Sequence, residues 1–124
     1  MSLNTPRQKE IIADLSLNIG TEEHHKIPFS NLVYTDGIAD LIEKLNCYWL
    51  ISDTAIYLSH TPSVNKEFLI LRIEVTPDKK AIVTLKEDTD EPCLYTKVYD
   101  YTDFNLNDYE FYIIGGVMLL KSEY

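Results

Sequence analysis

The sequence predicts an α+β fold in which two or three helices pack on one antiparallel sheet of about four strands. Two observations lead to this fold class. Apolar residues recur at helical spacing in the first half of the chain, and in the second half the spacing changes to two. The 124 residues suffice for one core, so we expect residues 1–124 to form a single domain.

The first predicted helix begins after Thr5. The segment Thr5-Pro6-Arg7-Gln8 combines an N-cap threonine, a proline at the first helical position and a glutamine that completes a capping box. Gly20 is expected to end this helix. One side of it would carry the apolar residues Ile11, Ile12, Leu15 and Ile19. A polar loop, Thr21 to Ser30, and a short strand or extended piece, Asn31 to Tyr34, are predicted to follow.

The second predicted helix is the clearest element of the chain. Thr35 or Asp36 would cap it, and four apolar residues follow at the spacing of a buried stripe, namely Ile38, Leu41, Ile42 and Leu45. Ser52-Asp53 is then suited to cap a short third helix from Thr54 to Ser59. The alternative is a strand through Tyr48 to Ile51, and periodicity does not decide between the two.

Four strands are predicted in the second half of the chain. Alternation begins at Glu67 and places Leu69, Leu71, Ile73 and Val75 on one face. Thr76-Pro77-Asp78-Lys79 is suited to a type I turn, and Ala81 to Lys86 would be the returning strand. Cys93 to Tyr101 is the third strand. The fourth lies within Glu110 to Leu120, with a break or bulge at Gly115-Gly116.

A predicted core follows from these elements. It contains apolar residues of the first two helices and of the first three strands, which are Ile11, Leu15, Ile38, Leu41, Ile42, Leu45, Leu69, Leu71, Ile73, Val83 and Val98.

One tripeptide occurs twice, as Tyr34-Thr35-Asp36 and as Tyr101-Thr102-Asp103. Each copy follows a predicted strand and opens a new element. Thr and Asp side chains accept hydrogen bonds from backbone N–H groups at such openings. We therefore expect structural caps at both copies, from Thr35 or Asp36 and from Thr102 or Asp103. The residues that follow the two copies do not align, so the chain contains no internal repeat here.

Composition limits the classes of function. The net charge of −9 argues against direct binding of nucleic acid and of anionic membranes, because both depend on Lys and Arg. The longest apolar stretch, Ile113 to Leu120, is too short to cross a bilayer. Met1 to Arg7 lacks the apolar region of a signal peptide. Cys47 and Cys93 have no paired spacing, which is typical of free thiols in the cytoplasm.

A set of short motifs in fixed order resembles an uncharacterised bacterial domain family associated with phages, plasmids and other mobile elements. The motifs span nearly the whole chain: Gly20-Thr21, Tyr34-Thr35-Asp36-Gly37, Tyr48-Trp49-Leu50, Glu67-Phe68, Tyr101-Thr102-Asp103-Phe104 and Ser122-Glu123-Tyr124. The resemblance implies no activity. It implies an origin in a mobile element, and the family has aromatic residues where this chain has His24-His25.

Catalytic and metal-binding motifs are weak in this sequence. His24 and His25, with Glu22, Glu23 and His60, are the nearest approach to a zinc site, yet adjacent histidines in extended chain rarely point the same way. Gly115-Gly116 lacks the lysine of a phosphate-binding loop. No set of nucleophile, base and oxyanion donors can be assembled. We therefore predict no cofactor and no metal, and regard an enzyme as the less favoured class.

The charge pattern gives the functional hypothesis. Between Glu87 and Glu110 there are eight acidic residues and one lysine, Lys97, together with several tyrosines. The segment is suited either to keep the protein soluble or to bind a basic protein, such as a nucleic-acid-handling protein of the host. The predicted partner-binding residues are Glu87, Asp88, Asp90, Glu91, Tyr99, Tyr101 and Asp103. The alternative is an enzyme or ligand-binding protein with a pocket near Trp49 and the Tyr-Thr-Asp turns.

Overall fold

The structure is a computed structural model and describes residues 5–20, 23–88 and 90–124. In this part of the chain, three helices accompany one seven-stranded sheet, and a single turn of 3-10 helix, Lys121–Glu123, follows the last strand. In chain order the elements are α1 (Pro6–Leu15), β1 (His25–Lys26), β2 (Val33–Tyr34), α2 (Asp36–Leu45), α3 (Tyr48–Ser59), β3 (Leu69–Val75), β4 (Ala81–Lys86), β5 (Tyr95–Tyr99), β6 (Asp108–Ile114) and β7 (Val117–Leu119).

The α+β class is confirmed, but the predicted sheet of about four antiparallel strands is wrong. The strand order is β1-β2-β7-β6-β3-β4-β5, and β2 pairs with β7 in parallel while the other pairs are antiparallel. Strands β1 and β2 have two residues each and β7 has three. Strands this short cannot display an alternating pattern. The sequence therefore indicated β2 only as part of the piece from Asn31 to Tyr34, did not separate β7 from the fourth predicted strand, and did not predict β1.

The predicted break at Gly115-Gly116 is a two-residue hairpin loop between β6 and β7, with Ile114 opposite Val117. Both glycines have positive φ, 58° for Gly115 and 82° for Gly116. The tight hairpin turn that matches the twist of a sheet requires positive φ at both central positions, and glycine adopts it without strain. The bulge hypothesis is therefore wrong, and the single predicted strand is two.

Helix α1 begins as predicted. The Thr5 side chain accepts a hydrogen bond from the backbone N–H of Gln8, and the Gln8 side chain accepts one from the backbone N–H of Thr5. The predicted end at Gly20 is wrong, because the helix ends at Leu15 with Ser16 as its C-cap. Ile19 is 83% exposed and lies beyond the helix.

Helix α3 is longer than predicted. It runs without interruption from Tyr48 to Ser59. The predicted helix from Thr54 to Ser59 is confirmed but begins six residues earlier, and the alternative strand from Tyr48 to Ile51 is wrong. Apolar residues occur on most sides of this helix and hide its period. Its buried residues nevertheless recur with helical spacing: Leu50, Ile51, Thr54, Ala55 and Leu58.

One face of the sheet packs against the helices. Buried residues of β3, β4 and β6 belong to the same core cluster as those of the three helices. At the β5 edge, Tyr95 and Tyr99 contact α3. Ten of the eleven predicted core residues are buried or partly buried in this cluster, and Val98 is the exception.

Val98 is 56% exposed, so its assignment to the core is wrong. It lies opposite Ile82 in the β4–β5 ladder, on the face away from α3. Alternation places Tyr95, Lys97 and Tyr99 on the helix-facing side of β5 instead. The side of β5 that faces the helices thus carries two tyrosines rather than aliphatic residues, and a search for an aliphatic pattern does not predict this.

Candidate functional site

The first Tyr-Thr-Asp motif lies where β2 meets α2. Thr35 is the N-cap of α2, and its hydroxyl oxygen accepts a hydrogen bond from the backbone N–H of Ile38 at 3.3 Å. Asp36 is the first residue of the helix, and its carboxylate lies 3.0 Å from the Nε2 atom of His25. The His25 ring also stacks on Tyr34. This copy of the motif therefore joins β1, β2 and α2.

The Glu123 carboxylate binds the same helix terminus. It accepts hydrogen bonds from the Thr35 hydroxyl at 2.6 Å, the backbone N–H of Gly37 at 3.1 Å and the backbone N–H of Leu120 at 2.9 Å. A Cβ atom at Gly37 would collide with this carboxylate, so glycine there leaves room for the contact. A negative charge at a helix N-terminus is also stabilising. Sequence reasoning missed this role of Glu123, because Thr35 and Gly37 lie more than 80 positions away from it.

The second Tyr-Thr-Asp motif follows β5. Thr102 is buried, its backbone N–H donates to the carbonyl of Lys79 at 2.8 Å, and its hydroxyl oxygen accepts from the backbone N–H of Phe104 at 3.1 Å. Phe104 is thereby directed into the core, where it is 2% exposed. Asp103 is exposed. In this copy Thr102, rather than Asp103, accepts the hydrogen bond from the following backbone.

The acidic residues between 87 and 110 occupy three places rather than one continuous surface. Glu87, Asp88, Asp90 and Glu91 are exposed in the loop before β5, and Asp100 and Asp103 are exposed just after β5. Asp108 and Glu110 lie on β6 and pair with Arg72, and Glu110 also pairs with Lys121. The six acids that flank β5 are therefore the accessible group, whereas the two on β6 are largely neutralised.

The tyrosines around β5 divide into packed and exposed ones. The Tyr95 ring stacks on Tyr57 of α3 with centroids 4.1 Å apart. The Tyr99 ring meets Trp49 edge to face at 4.6 Å, and its hydroxyl donates to the Asp53 carboxylate at 2.7 Å. Burial raises the pKa of Tyr99, and the hydrogen bond to Asp53 adds to the effect. Tyr101 is 73% exposed.

A shallow cavity of about 300 Å³ lies at this end of β5. It is lined by Trp49, Tyr99, Tyr101, Thr102 and Asp103. Two of the predicted partner-binding tyrosines and one of the predicted aspartates thus meet the tryptophan named for the alternative pocket. Of the two Tyr-Thr-Asp copies, this cavity contains residues of the second. Sequence reasoning did not assign a role here to Asp53, since it treated that residue as a helix cap.

The histidines do not converge. His24 and His60 are exposed, and the Nδ1 atom of His60 lies 2.8 Å from the carbonyl oxygen of Ile56. Thr21 and Glu22, which completed the predicted metal candidate, lie outside the described residues. Among residues 5–20, 23–88 and 90–124, no three His, Cys, Asp or Glu side chains are grouped to hold a metal ion. In the same part of the chain, no helix has the length and apolar character needed to cross a membrane.

The two cysteines differ in environment. Cys47 is buried, its thiol lies 3.7 Å from the carbonyl oxygen of Leu41, and burial raises its pKa from 9.0 to about 12. Cys93 is exposed. The thiolate is the reactive form, so a buried thiol with a raised pKa is inert.

We expect a thiol reagent to modify Cys93 but not Cys47 in the folded protein at pH 8. Unfolding should release Cys47, so labelling in denaturant should add one group per chain, counted by intact mass. The variant Cys93→Ser should lose the labelling of the folded protein, and the variant Cys47→Ala should retain it. Because the raised pKa favours the folded state only while the thiol is protonated, the free energy of unfolding should fall above pH 9, by up to about 1.4 kcal/mol per pH unit. Rapid labelling of both thiols in the native state would contradict the buried position of Cys47.

Together these observations define a small α+β protein with an acidic, aromatic edge at β5. A family model described as a family of unknown function, DUF6876, matches residues 9–124, and the chain belongs to this family. No curated protein and no solved structure matches the chain.

Proposed function

We propose that this protein is a non-enzymatic interaction protein that binds a basic partner protein through the surface around β5. The observation that carries the proposal is the position of the exposed acids. Glu87, Asp88, Asp90 and Glu91 precede β5, while Asp100 and Asp103 follow it, and exposed or half-exposed aromatic rings lie beside the second group. Aromatic anchors inside a charged rim are typical of protein interfaces.

The positive charge of Lys97, which lies in β5, is already compensated by neighbouring groups. The Lys97 ammonium lies 3.4 Å from the Asp53 carboxylate and 5.0 Å above the Tyr99 ring. Two acidic groups separated by a five-residue strand, about 17 Å long, would present a negative field along one edge of the sheet. Such a field favours the approach of a basic protein and opposes nucleic acid.

The nature of the partner is part of the proposal. The resemblance of the motifs to domains of phages and plasmids supports a protein of mobile-element type that acts in the cytoplasm. A host protein that handles nucleic acid offers the basic surface required. By occupying that surface, the acidic edge would compete with phosphate groups.

A second candidate function is the binding of a small ligand in the cavity beside Trp49. The meeting of Trp49, Tyr99, Tyr101 and Asp103 around about 300 Å³ favours it. Ligand pockets of this kind are mostly apolar with a few polar groups, and this volume is at the lower end of their range.

We expect neutralising the loop acids to slow association with a basic partner. In the variant Asp88→Asn, Asp90→Asn, Glu91→Gln, the on-rate at low salt should fall about threefold to tenfold, because long-range attraction dominates encounter. The same on-rate for the wild type should fall as salt rises, with screening over about 8 Å at physiological ionic strength. The measurement is affinity capture from bacterial lysate, followed by stopped-flow association with the purified captured protein.

The matched control removes the same net charge elsewhere. Glu10→Gln, Asp14→Asn, Glu43→Gln changes three exposed acids on α1 and α2, whereas β5 packs against α3. The control variant should capture the same partner at a nearly unchanged rate. Equal, salt-independent rates for all three proteins would reject the proposed function and leave the acidic edge as a means of solubility.

A further inference from the structure

The cavity beside Trp49 combines features that recognise organic cations. Three aromatic rings contribute to its lining: Trp49 from the first turn of α3, Tyr99 from the end of β5 and Tyr101 just beyond it. The faces of such rings carry negative charge density and attract ammonium and guanidinium groups. A carboxylate, Asp103, completes the lining. Aromatic rings with one carboxylate are suited to a cation and unsuited to an anion.

The surroundings hold two of the rings, Trp49 and Tyr99, and the backbone next to the third. Asp53 accepts the hydrogen bond from the Tyr99 hydroxyl, and Tyr99 in turn contacts the Trp49 ring at an interplanar angle of 63°. The burial of Thr102 and its bond to the Lys79 carbonyl fix the backbone between Tyr101 and Asp103. A site in which two rings and the adjoining backbone are fixed before binding loses less conformational freedom when a ligand enters.

A lysine side chain of the protein itself already makes contacts of this kind. Lys97 approaches both the Tyr99 ring and the Asp53 carboxylate, but it does not contribute to the lining of the cavity. Tyr101 is 73% exposed, and within the described residues the Asp103 side chain makes no ion pair. The cavity thus presents a ring and a carboxylate that the chain itself leaves open.

We propose that the cavity receives the cationic end of a lysine or arginine side chain of the basic partner. The proposal rests on the function proposed above and names the contact that gives it specificity. The size supports one side chain, because about 300 Å³ is small for a drug-sized ligand. The partner's aliphatic stem would pack on Trp49 and Tyr101, and its charged end would meet Asp103. Both lysine and arginine provide this chemistry.

The test uses blocked amino acids, so that it is independent of any partner. Nα-acetyl-lysine methylamide and Nα-acetyl-arginine methylamide are titrated into the full chain, with the norleucine derivative as the uncharged match for lysine. Trp49 is the one tryptophan of the sequence, so its fluorescence reports on the cavity directly. Amide chemical shifts of residues 99–103 provide a second readout. We expect saturable changes with the lysine or the arginine derivative, and the comparison of the two decides which cation is preferred.

Two variants and two controls complete the test. Tyr101→Leu and Asp103→Asn should each weaken binding about threefold to tenfold. Tyr124→Leu changes a tyrosine of similar exposure at another site, and Glu43→Gln changes an exposed acid on α2, so both should leave the affinity unchanged. Equal binding of the norleucine derivative, or no effect of Tyr101→Leu and Asp103→Asn, would overturn the proposal.

The outcome separates this inference from the proposed function. If the captured partner still binds with salt-dependent rates that respond to the loop variant, while the blocked amino acids do not bind, then the function holds and the cavity proposal is wrong. If the lysine or arginine derivative binds with the expected variant effects but no partner depends on the loop acids, then the cavity is a cation site and the proposed function is wrong.

Discussion

Phe104→Ala should lower the free energy of unfolding by about 3–5 kcal/mol, the cost typical of removing a buried phenylalanine ring. Phe104 belongs to the core cluster although it lies in the connection after β5. Thr102 holds this connection through the Lys79 carbonyl and the Phe104 N–H, so the backbone has little freedom to move inward and fill the cavity. Urea denaturation followed by circular dichroism measures the change.

The chain provides a matched control for this substitution. Phe29 is 88% exposed, and Phe29→Ala should change the free energy of unfolding by less than about 0.5 kcal/mol. If Phe104→Ala were as mild as Phe29→Ala, the connection after β5 would not be part of the core. The assignment of Thr102 as the residue that directs Phe104 inward would then be wrong as well.

Glu123→Ala should cost about 2–3 kcal/mol, because three donors lose a charged acceptor at once. The donors are the Thr35 hydroxyl and the backbone N–H groups of Gly37 and Leu120. The loss includes the favourable interaction of the carboxylate with the N-terminus of α2. Thermal and urea denaturation of the variant measure the cost, and Glu43→Ala, at an exposed position of α2, serves as the control.

A double-mutant cycle with Gly37 isolates this contact. In the wild type, Gly37→Ala should be destabilising, since the new Cβ displaces the Glu123 carboxylate. In the Glu123→Ala background that collision is gone, and the greater helix propensity of alanine should make the same change neutral or stabilising. Additive effects of the two substitutions would show that Glu123 does not occupy the space over Gly37.

Local sequence signals predicted the elements whose stabilisation is local. The capping box at Thr5 and the apolar stripe of Ile38, Leu41 and Leu45 correspond to α1 and α2. The period of two from Leu69 corresponds to β3, and the turn at Thr76 leads into β4 at the predicted Ala81. In each case neighbours within a few positions determine the conformation, so a pattern in the sequence is sufficient.

The features that were missed depend on distant contacts or on very short strands. The extended piece that contains β2 was predicted, but not its parallel pairing, which joins Val33 to Val117 and Tyr34 to Met118. That pairing is made with a strand more than 80 positions away and leaves no period in the sequence. Strand β1 has two residues and pairs with β2, so it is too short to show a period. The first part of α3 was not predicted for a different reason. Apolar residues lie on most sides of this helix, so the contrast between an apolar and a polar face, which reveals a helix, is absent.

The candidate site was predictable in its parts but not in its assembly. The acidic segment and its tyrosines were evident from composition, and Trp49 was named for the alternative pocket. The sequence gives no sign that Asp53 would accept the Tyr99 hydroxyl from across the helix–sheet interface. Nor does it distinguish the exposed acids beside β5 from Asp108 and Glu110, because the pairing of those two with Arg72 is set by the register of β3 and β6.

The parallel pair of β2 and β7 also constrains the order in which the chain can fold. Strands β3, β4, β5 and β6 pair with one another inside residues 69–114, so this meander can form without the first part of the chain. Strands β1 and β2 join the sheet through β7, so they can dock after that meander and β7 are in place. We therefore expect amide hydrogens of β3 and β4 to be protected from exchange before those of β1 and β2 when the protein refolds from denaturant, and simultaneous protection of both groups would contradict this order.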